Sequence, residues 1–389
     1  MRALVFVDSP QKYRFFSRLE KALSGTASFI YATNYLSLLL RARSERRSCI
    51  PIYRRSTSVP VGFYAECTQM LGRTLPEAQA EILAASATAC FDESLDRYGC
   101  DLAIVWNGSR IAERALSESA VRKGVKRLFL EIGNFPGKLF ADAEGVNAQS
   151  SLARSPEILD RLPTPSEDYY AWKRKFFNKR RSGANRVPQR ATIKRLNSAR
   201  LVDELGWWVL PSDGLEAPAK RLKRALLSVG RHAGESLPAE PFVFFPLQVS
   251  LDSQVLVNYG RSVYDGVCEG LALGREWGLP IVVKPHPSEP NIDPRLLSLV
   301  RSESALSICH GNTTELVEKA ERVVTINSTV GLEALLLGKS PTILGKAFYK
   351  DFTQARADKY VAEYLRNIDY FSSAPIDPAE ARTLIECAK

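Results

Sequence analysis

The chain has 389 residues, which at roughly 150 residues per domain indicates two domains. Its composition, 45% hydrophobic and 25% charged, is that of a globular protein, and no apolar run approaches the roughly 18–20 residues that span a bilayer, which excludes a transmembrane protein. The net charge of +10 favours anionic partners, but eleven of the 53 basic residues lie between 173 and 200 with no acid among them, so one basic docking face is predicted rather than a uniformly basic nucleic-acid coat.

Residues 1–150 alternate between strand and helix patterns. Short apolar runs typical of buried parallel strands occur at 3–8, 28–31, 102–106 and 127–130. Apolar residues at helical spacing lie at 13–23, 35–43, 75–97 and 111–123. Because such alternation builds parallel, doubly wound sheets, we expect an N-terminal Rossmann-like domain over 1–150.

Residues 151–238 interrupt this alternation with Pro156, Pro163 and Pro165, the basic stretch and Trp207-Trp208. We expect a helical, basic insertion and inter-domain connection there. A second alternating series over 239–353 predicts a C-terminal Rossmann-like domain, and the tail 354–389 is expected to be helical and to cross back to the first domain.

Two doubly wound domains in tandem would face a central cleft, where ligands of open α/β sheets bind beyond the carboxyl ends of the strands. This α/β arrangement fits nucleotide-sugar glycosyltransferases, sugar-nucleotide epimerases and periplasmic-type binding proteins alike, and the fold does not choose among them.

Asn327, Ser328 and Thr329 follow a buried strand and precede a helix that contains Gly331. The first N–H groups of such a helix bind phosphate, and glycine allows close approach of an anion. The alternative is a helix capped by Ser328 or Thr329 without any ligand.

Lys284 and His286 lie in the sequence Lys-Pro-His-Pro at the end of another strand. Both side chains can donate hydrogen bonds to a phosphate or a sugar carboxylate. The alternative is a structural histidine. A metal site is not predicted, since His232 and His310 stand in unrelated contexts and no Cys or acid has ligand spacing.

Gln248, Asp252 and Gln254 follow the first strand of the second domain. Asp252 could act as a nucleophile or base while the amides orient hydroxyl groups; alternatively, Asp252 caps the next helix. From the first domain, Glu131 is predicted to end a strand, and glycosyl chemistry commonly uses two carboxylates, so Glu131 and Asp252 could be that pair. The alternative is a loop glutamate. Arg110 is a further candidate for binding a sugar carboxylate.

The seven cysteines are scattered without a CxxC pair, and the N-terminus lacks the apolar core of a signal peptide. Both observations predict that the protein resides in the reducing cytoplasm with free thiols. No Asp-x-Asp motif, the usual way to hold a divalent ion on a diphosphate, is present. A donor with a single phosphate, such as a CMP-sugar, would not need one.

Together, several short segments resemble the bacterial capsule polysaccharide biosynthesis family, the retaining β-Kdo (3-deoxy-D-manno-octulosonic acid) transferases of the capsule and O-antigen type. They occur in family order: Glu131-Ile132-Gly133 with Pro136, Gly145-Val146-Asn147 to Ser150-Ser151-Leu152, Arg154-Ser155-Pro156 to Leu162-Pro163, Leu247-Gln248-Val249 with Asp252-Ser253-Gln254, Lys284-Pro285-His286-Pro287, and Val324 to Thr329 with Gly331 and Ala334-Leu335.

The resemblance implies a GT-B-like enzyme that transfers β-Kdo from CMP-β-Kdo to a glycolipid or polysaccharide acceptor with retention, peripherally at the cytoplasmic face of the inner membrane. In such an enzyme 1–150 would be the acceptor-side domain and 239–353 would bind the nucleotide sugar. Asp252 would attack the anomeric carbon, Glu131 would be the acid/base, and His286 would be a further catalytic residue that also binds the donor. The CMP-binding set would comprise Lys284, His286, Asn327, Ser328, Thr329 and Gly331, with Gln248 and Gln254. Asn147, Ser150 and Ser151, with Arg110, are candidates for contacts with the sugar or the acceptor. No cofactor and no metal are expected.

Other interpretations stay open. A GT-B transferase with a UDP-sugar donor or a sugar-nucleotide epimerase carries a similar phosphate-binding helix. A non-enzymatic polyanion-binding protein would also explain the basic charge, although no nucleic-acid module is recognisable, so no nucleic-acid partner is expected. The segment 173–200 could lie on anionic headgroups or be a solvated helix face. Other polysaccharide-assembly proteins are possible partners.

Overall fold

The computed structural model describes residues 1–55, 62–182, 202–203, 206, 209–211, 241–289 and 292–388. Their contacts divide the chain into two compact units. The described residues of Met1–Ser151, Thr192–Leu215 and Leu365–Lys389 form the first unit, and those of Leu152–Ala191 and Glu216–Tyr364 form the second.

The sheet of the first unit has six strands in the order β3-β2-β1-β4-β5-β6. The strands are β1 (Arg2–Phe6), β2 (Ser28–Thr33), β3 (Cys49–Pro51), β4 (Leu102–Trp106), β5 (Lys126–Ile132) and β6 (Leu139–Asp142). Strands β1 to β5 pair in parallel, with Leu4 opposite Ala103, whereas β6 runs antiparallel to β5. The strand order reverses direction between β1 and β4, which is the topological switch point of this sheet.

Helices cover this sheet and supply its core. They are α1 (Pro10–Ala22), α2 (Leu36–Ser44), α3 (Thr68–Leu71), α4 (Glu77–Tyr98), α5 (Ile111–Arg122) and, near the C-terminus, α14 (Pro378–Glu386). The short helix α6 (Ser151–Arg154) belongs to the second unit except for Ser151. Helix α1 begins with Pro10 after the capping residue Ser9, whose hydroxyl accepts from the Lys12 N–H at 3.3 Å. Its buried aromatic residues Phe15 and Phe16 pack on Trp106.

The second unit has a five-stranded sheet in the order β11-β10-β7-β8-β9, and these strands pair in parallel. Its strands are β7 (Val243–Pro246), β8 (Ile281–Lys284), β9 (Leu306–Ile308), β10 (Arg322–Thr325) and β11 (Thr342–Ile343). The switch point of this sheet lies between β7 and β10. Ligands of open α/β sheets bind beyond the carboxyl ends of the strands at that point.

The helices of the second unit include a basic one that is partly neutralised within the unit. They are α7 (Glu167–Arg181), α8 (Ser253–Asn258), α9 (Val263–Trp277), α10 (Pro294–Ser302), α11 (Thr313–Lys319), α12 (Thr329–Leu336) and α13 (Gln354–Lys359). In α7, Lys173 pairs with Asp358 at 2.7 Å and Arg180 with Glu333 at 2.7 Å. Residues 183–200 of the predicted basic segment, and Trp207-Trp208, lie outside the described residues.

The α/β class with two doubly wound sheets is confirmed. The tail predicted as one segment is divided: Gln354–Lys359 and the turn Tyr360–Tyr364 belong to the second unit, and Leu365–Lys389 to the first. Residues Leu152–Ala191 of the predicted connection belong to the second unit as far as they are described. Among the helices of the described ranges, none is long and apolar enough to cross a membrane.

Candidate functional site

Two side-chain amides join the strands that flank the switch point of the second unit. Gln248 follows β7 and Asn327 follows β10. The Gln248 Nε2 donates to Asn327 Oδ1 at 2.9 Å, and the Asn327 backbone N–H donates to Gln248 Oε1 at 3.1 Å. Both residues are buried, so this reciprocal pair fixes the two strand ends against each other.

The same network reaches the start of α8. Asn327 Nδ2 donates to the Gln254 carbonyl at 2.8 Å, and Asn258 Nδ2 donates to Gln254 Oε1 at 2.8 Å. The structure therefore brings the predicted donor-binding residues Gln248, Gln254 and Asn327 together. The side-chain amides of Gln248 and Asn327 bind each other, and that of Gln254 binds Asn258. They act as the frame of the site.

Asp252 is the capping residue of α8. Its Oδ1 accepts from the Gln254 N–H at 2.8 Å, which is the capping arrangement considered from the sequence. Its side chain is half-buried. The cap holds the carboxylate in one orientation at the start of α8.

His286 lies after β8, within the electrostatic range of Asp252. Burial lowers the pKa of His286, and the carboxylates of Asp252 and Glu289 oppose that shift. Its Nδ1 accepts from the Ser288 N–H at 3.1 Å, so the neutral ring carries its proton on Nε2. His286 thus presents an N–H donor.

Lys284 is the last residue of β8 and is half-buried. Burial lowers the pKa of its ammonium group, while the Cys309 thiol opposes that shift. The ammonium donates to the Gly311 carbonyl, which holds it at the carboxyl edge of the sheet.

Helix α12 begins at Thr329, with Ser328 as the capping residue. The Ser328 hydroxyl accepts from the Val330 N–H at 3.2 Å. Residues 328–330 are half-buried, so solvent reaches the start of this helix. A helix start at this switch point is a favourable place for an anion.

Gly331 has a packing role that the sequence did not reveal. A Cβ atom there would lie 2.8 Å from the hydroxyl of Tyr349 and 3.0 Å from Cγ2 of Thr325. The tyrosine hydroxyl donates to the Ser328 carbonyl. The absent side chain of Gly331 therefore makes room for Tyr349.

In the first unit, Glu131 lies within β5 instead of following it, because β6 extends the pairing and places Phe140 opposite Glu131. Burial raises the pKa of Glu131 to about 7, and hydrogen bonds from Asn107 and from the Ile132 N–H oppose this shift. A carboxyl group with a pKa near neutrality can both accept and return a proton.

A buried charged cluster near Glu131 was missed from the sequence. Lys12 of α1 binds Asp8 at 3.0 Å and Glu113 of α5 at 2.6 Å, and Arg110 Nε lies 3.9 Å from Asp8. Burial alone would lower the pKa of Lys12, but Asp8 and Glu113 raise it above the ordinary range. The available signal was Asp8, an acid two residues after β1, at the switch point of the sheet.

The loop that carries Asn147, Ser150 and Ser151 is organised by the buried carboxylate of Asp142. Asp142 accepts from the Glu144 N–H at 2.8 Å and from the Ser151 hydroxyl at 2.5 Å. The Ser150 hydroxyl donates to the Asn147 carbonyl at 2.6 Å. These hydroxyl groups therefore hold the loop in shape.

The first unit and the second unit share the doubly wound strand order, and the second has a polar frame at its switch point. This fold is that of GT-B-like α/β proteins. Residues 219–356 match the family described as capsule polysaccharide biosynthesis protein, which confirms the resemblance to that family.

The chain also resembles individual proteins, each at a modest sequence identity. The chain is 31% identical over 265 residues to protein FixF of Sinorhizobium fredii (strain NBRC 101917 / NGR234), covering 66% of this chain and 52% of FixF, so it spans about half the length of that relative. It is similar to the β-Kdo 2,7 transferase of Thermosulfurimonas dismutans KpsC at 14% identity, with a TM-score of 0.50 and coverage of 100% and 98% of the two chains, a likeness that shows the fold. The β-Kdo 2,4 transferase of the same KpsC gives 16% identity, coverage of 98% and 97%, and a TM-score of 0.46.

Proposed function

We propose that this chain is a retaining glycosyltransferase that transfers β-Kdo from CMP-β-Kdo to a glycolipid or polysaccharide acceptor in bacterial surface polysaccharide synthesis, either capsule or O-antigen. The observation that supports it best is the juxtaposition of a capped carboxylate, a histidine N–H donor and a solvent-accessible helix start around the switch point of the second unit. These groups fit a sugar joined to a single phosphate.

In this proposal the phosphate of the donor lies at the start of α12. The N–H groups near Ser328 and Thr329 bind its oxygens, and His286 donates from Nε2. Lys284 adds positive charge nearby. One phosphate carries little charge to neutralise, so this set acts without a metal ion.

The chemistry proceeds in two displacements. An oxygen of Asp252 attacks the anomeric carbon, the bond from that carbon to the phosphate oxygen breaks, and CMP leaves with the electron pair. The acceptor hydroxyl then attacks the same carbon, Glu131 takes its proton, and the bond to Asp252 breaks. Two inversions at one carbon give retention.

The test is incubation with CMP-β-Kdo, generated in situ, and candidate acceptors, followed by mass spectrometry of the products and of the intact protein. We expect CMP release, and a covalent Kdo adduct that accumulates in Glu131→Gln because the second displacement needs the base. Asp252→Asn keeps the cap but removes the nucleophile, so it abolishes both adduct and product.

Asp293 provides a matched control, because it caps α10 as Asp252 caps α8, with its Oδ1 accepting from the Arg295 N–H at 2.9 Å. Asp293→Asn should leave transfer unchanged. Turnover of a UDP-sugar in place of CMP-β-Kdo, by transfer or by epimerisation, would refute the proposal. Tight, salt-sensitive binding of generic polyanions whose affinity does not change in Asp252→Asn would also refute it.

We further propose peripheral binding at the cytoplasmic face of the inner membrane through α7. Arg174, Lys175 and Lys179 are exposed on this helix, and cations near an anionic surface contribute about 1 kcal/mol each. Replacing the three by serine should weaken cosedimentation with vesicles containing anionic lipid and leave catalysis on a soluble acceptor intact. Undiminished cosedimentation would contradict this second proposal.

A further inference from the structure

We infer that Asn107 is a positioning residue for Glu131. It holds the carboxyl group of Glu131 in one orientation while that group takes up and releases a proton. The role in catalysis rests on the proposed function of Glu131. The contact itself does not, because Asn107 Nδ2 donates directly to Glu131 Oε2.

The backbone delivers Asn107 to this place. Asn107 follows β4, and its N–H donates to the Leu130 carbonyl of β5 at 2.8 Å. Its φ is +62°, in the left-handed region that asparagine tolerates better than most residues. This turn directs the side chain from the end of β4 toward the neighbouring strand.

The orientation of the carboxamide is fixed from both sides. Its Oδ1 accepts from the Ser109 N–H at 3.1 Å, so its NH2 group must face the carboxyl group of Glu131. The other carboxyl oxygen of Glu131 accepts from the Ile132 N–H at 3.1 Å. The position therefore needs an acceptor, a donor and a left-handed backbone in one residue, and asparagine supplies all three.

The surrounding charges do not replace this contact. Glu113 of α5 raises the pKa of Glu131 and Lys12 of α1 lowers it, while Tyr370 of the C-terminal segment also faces the carboxyl group. Burial is the largest cause of the raised pKa, and the hydrogen bond from Asn107 is the largest influence against it. Loss of this donor should therefore raise the pKa of Glu131 further.

The experiment measures that pKa directly in the full-length protein. Carboxyl carbon NMR of protein labelled at glutamate follows the titration, and Glu131→Gln identifies the signal by its disappearance. Asn107→Gly keeps the left-handed backbone and removes the carboxamide. We expect its midpoint to rise by about one pH unit, since a net hydrogen bond of about 1 kcal/mol corresponds to nearly that shift.

Asn107→Asp is the second variant, because it keeps the acceptor for Ser109 and replaces the donor by a second carboxyl group, and it should raise the midpoint more. Arg73→Gly, at an exposed residue with φ of +49°, controls for a glycine at a left-handed position and should leave the midpoint unchanged. Unchanged midpoints in both Asn107 variants would overturn the inference.

Kinetics separate this inference from the proposed function. If the chain is the proposed transferase, the ascending limb of the pH–rate profile of Asn107→Gly should shift to higher pH, together with the NMR midpoint of Glu131. We expect kcat to be reduced and the KM for the donor to be retained. A moved NMR midpoint in a chain that transfers no sugar refutes the proposed function but supports the positioning of Glu131. Transfer with an unmoved limb and midpoint refutes the inference alone.

Discussion

Glu131 links the free energy of unfolding to pH, because its carboxyl group has a pKa of about 7 in the folded protein against an ordinary value of 4.5. The folded state therefore binds more protons than the unfolded state between these values. The contribution of Glu131 to the free energy of unfolding is fully present below about pH 4.5 and is lost as pH rises through 7. Glu131→Gln removes this loss, so its stability relative to the native chain should increase by on the order of 2–3 kcal/mol from pH 4.5 to 8.

Urea unfolding at both pH values measures this difference. Comparing the same variant at two pH values cancels the pH-independent cost of an imperfect amide hydrogen bond. The same substitution at exposed Glu93 gives the baseline. A stability difference between Glu131→Gln and the native chain that does not change with pH would contradict the raised pKa.

Gly331 is expected to be intolerant of alanine. An added Cβ would lie 2.8 Å from the Tyr349 hydroxyl, 2.9 Å from its ring and 3.0 Å from Thr325, all within a buried region. Overpacking of this kind costs about 1–3 kcal/mol and would displace the start of α12. Gly62→Ala is the control, because a Cβ at Gly62 meets nothing within 4 Å. Equal unfolding midpoints for the two variants would refute the packing role.

At the residue scale, the sequence predicted local features better than distant contacts. The capping of α12 by Ser328 follows from three consecutive residues, and the structure has this cap. The pairing of Gln248 with Asn327 joins residues 79 positions apart, and that of Lys12 with Glu113 joins residues 101 apart. Such contacts depend on strand order and register, which periodicity does not supply.

Among the elements, α7 carries two neighbouring arginines in different environments. The Arg180 Nη2 donates to both carboxylate oxygens of Glu333, at 2.7 and 2.8 Å. The two side chains are 15% and 6% exposed. Arg181 pairs with Glu318, with side chains 39% and 33% exposed. Arg180→Ala leaves Glu333 buried without its cation and should cost about 3–5 kcal/mol, whereas Arg181→Ala should cost at most about 1 kcal/mol.

Urea denaturation of the two variants tests this contrast on one helix. Arg180→Met combined with Glu333→Gln should recover part of the loss, because no buried charge then lacks a partner. Similar midpoints for Arg180→Ala and Arg181→Ala would show that the Glu333 pair is worth no more than a surface pair.

Element bounds were predicted well where a strand is buried on both faces. The predicted bounds of β4, 102–106, are those observed, because this strand is a short buried run that ends at a change in polarity. Strands β3 and β6 were missed: β3 has only three residues, and the four residues of β6 become a strand only by pairing with the end of β5. The basic stretch, predicted as one docking face, has Lys173 and Arg180 paired with acids 185 and 153 positions away, which composition does not show.

For the whole molecule, the two units share the strand order 3-2-1-4-5 along their parallel strands, and each has its own core. The polar residues after β7 and β10 lie at one switch point, and Asp8 and Asn107, after β1 and β4, lie at the other. Alternation of strands and helices was enough to predict both sheets. It did not show at which residue the tail 354–389 joins the core of the first unit, because the partners of those residues lie at the other end of the sequence.

Removal of Leu365–Lys389 should therefore unfold the first unit selectively. This segment contributes Ile368, Tyr370, Ile376 and Leu384 to the core of that unit, and the Tyr370 ring lies 4.6 Å from that of Trp106. Each of these buried side chains is worth about 1.5–3 kcal/mol, so the loss is comparable with the ~5–15 kcal/mol that stabilises a domain.

In a chain that ends at Tyr364, we expect fast hydrogen–deuterium exchange in β1, β2 and β4. Protection should be retained in β7, β8 and β10, because the described core residues around these strands all lie between 242 and 344. Arg382→Ala, at an exposed residue of α14 in the full-length chain, should leave both patterns unchanged. Retained protection of β1 and β4 after truncation would mean that the C-terminal segment is not part of that core. Loss of protection in β7 and β8 would mean that the second unit is not stable without it.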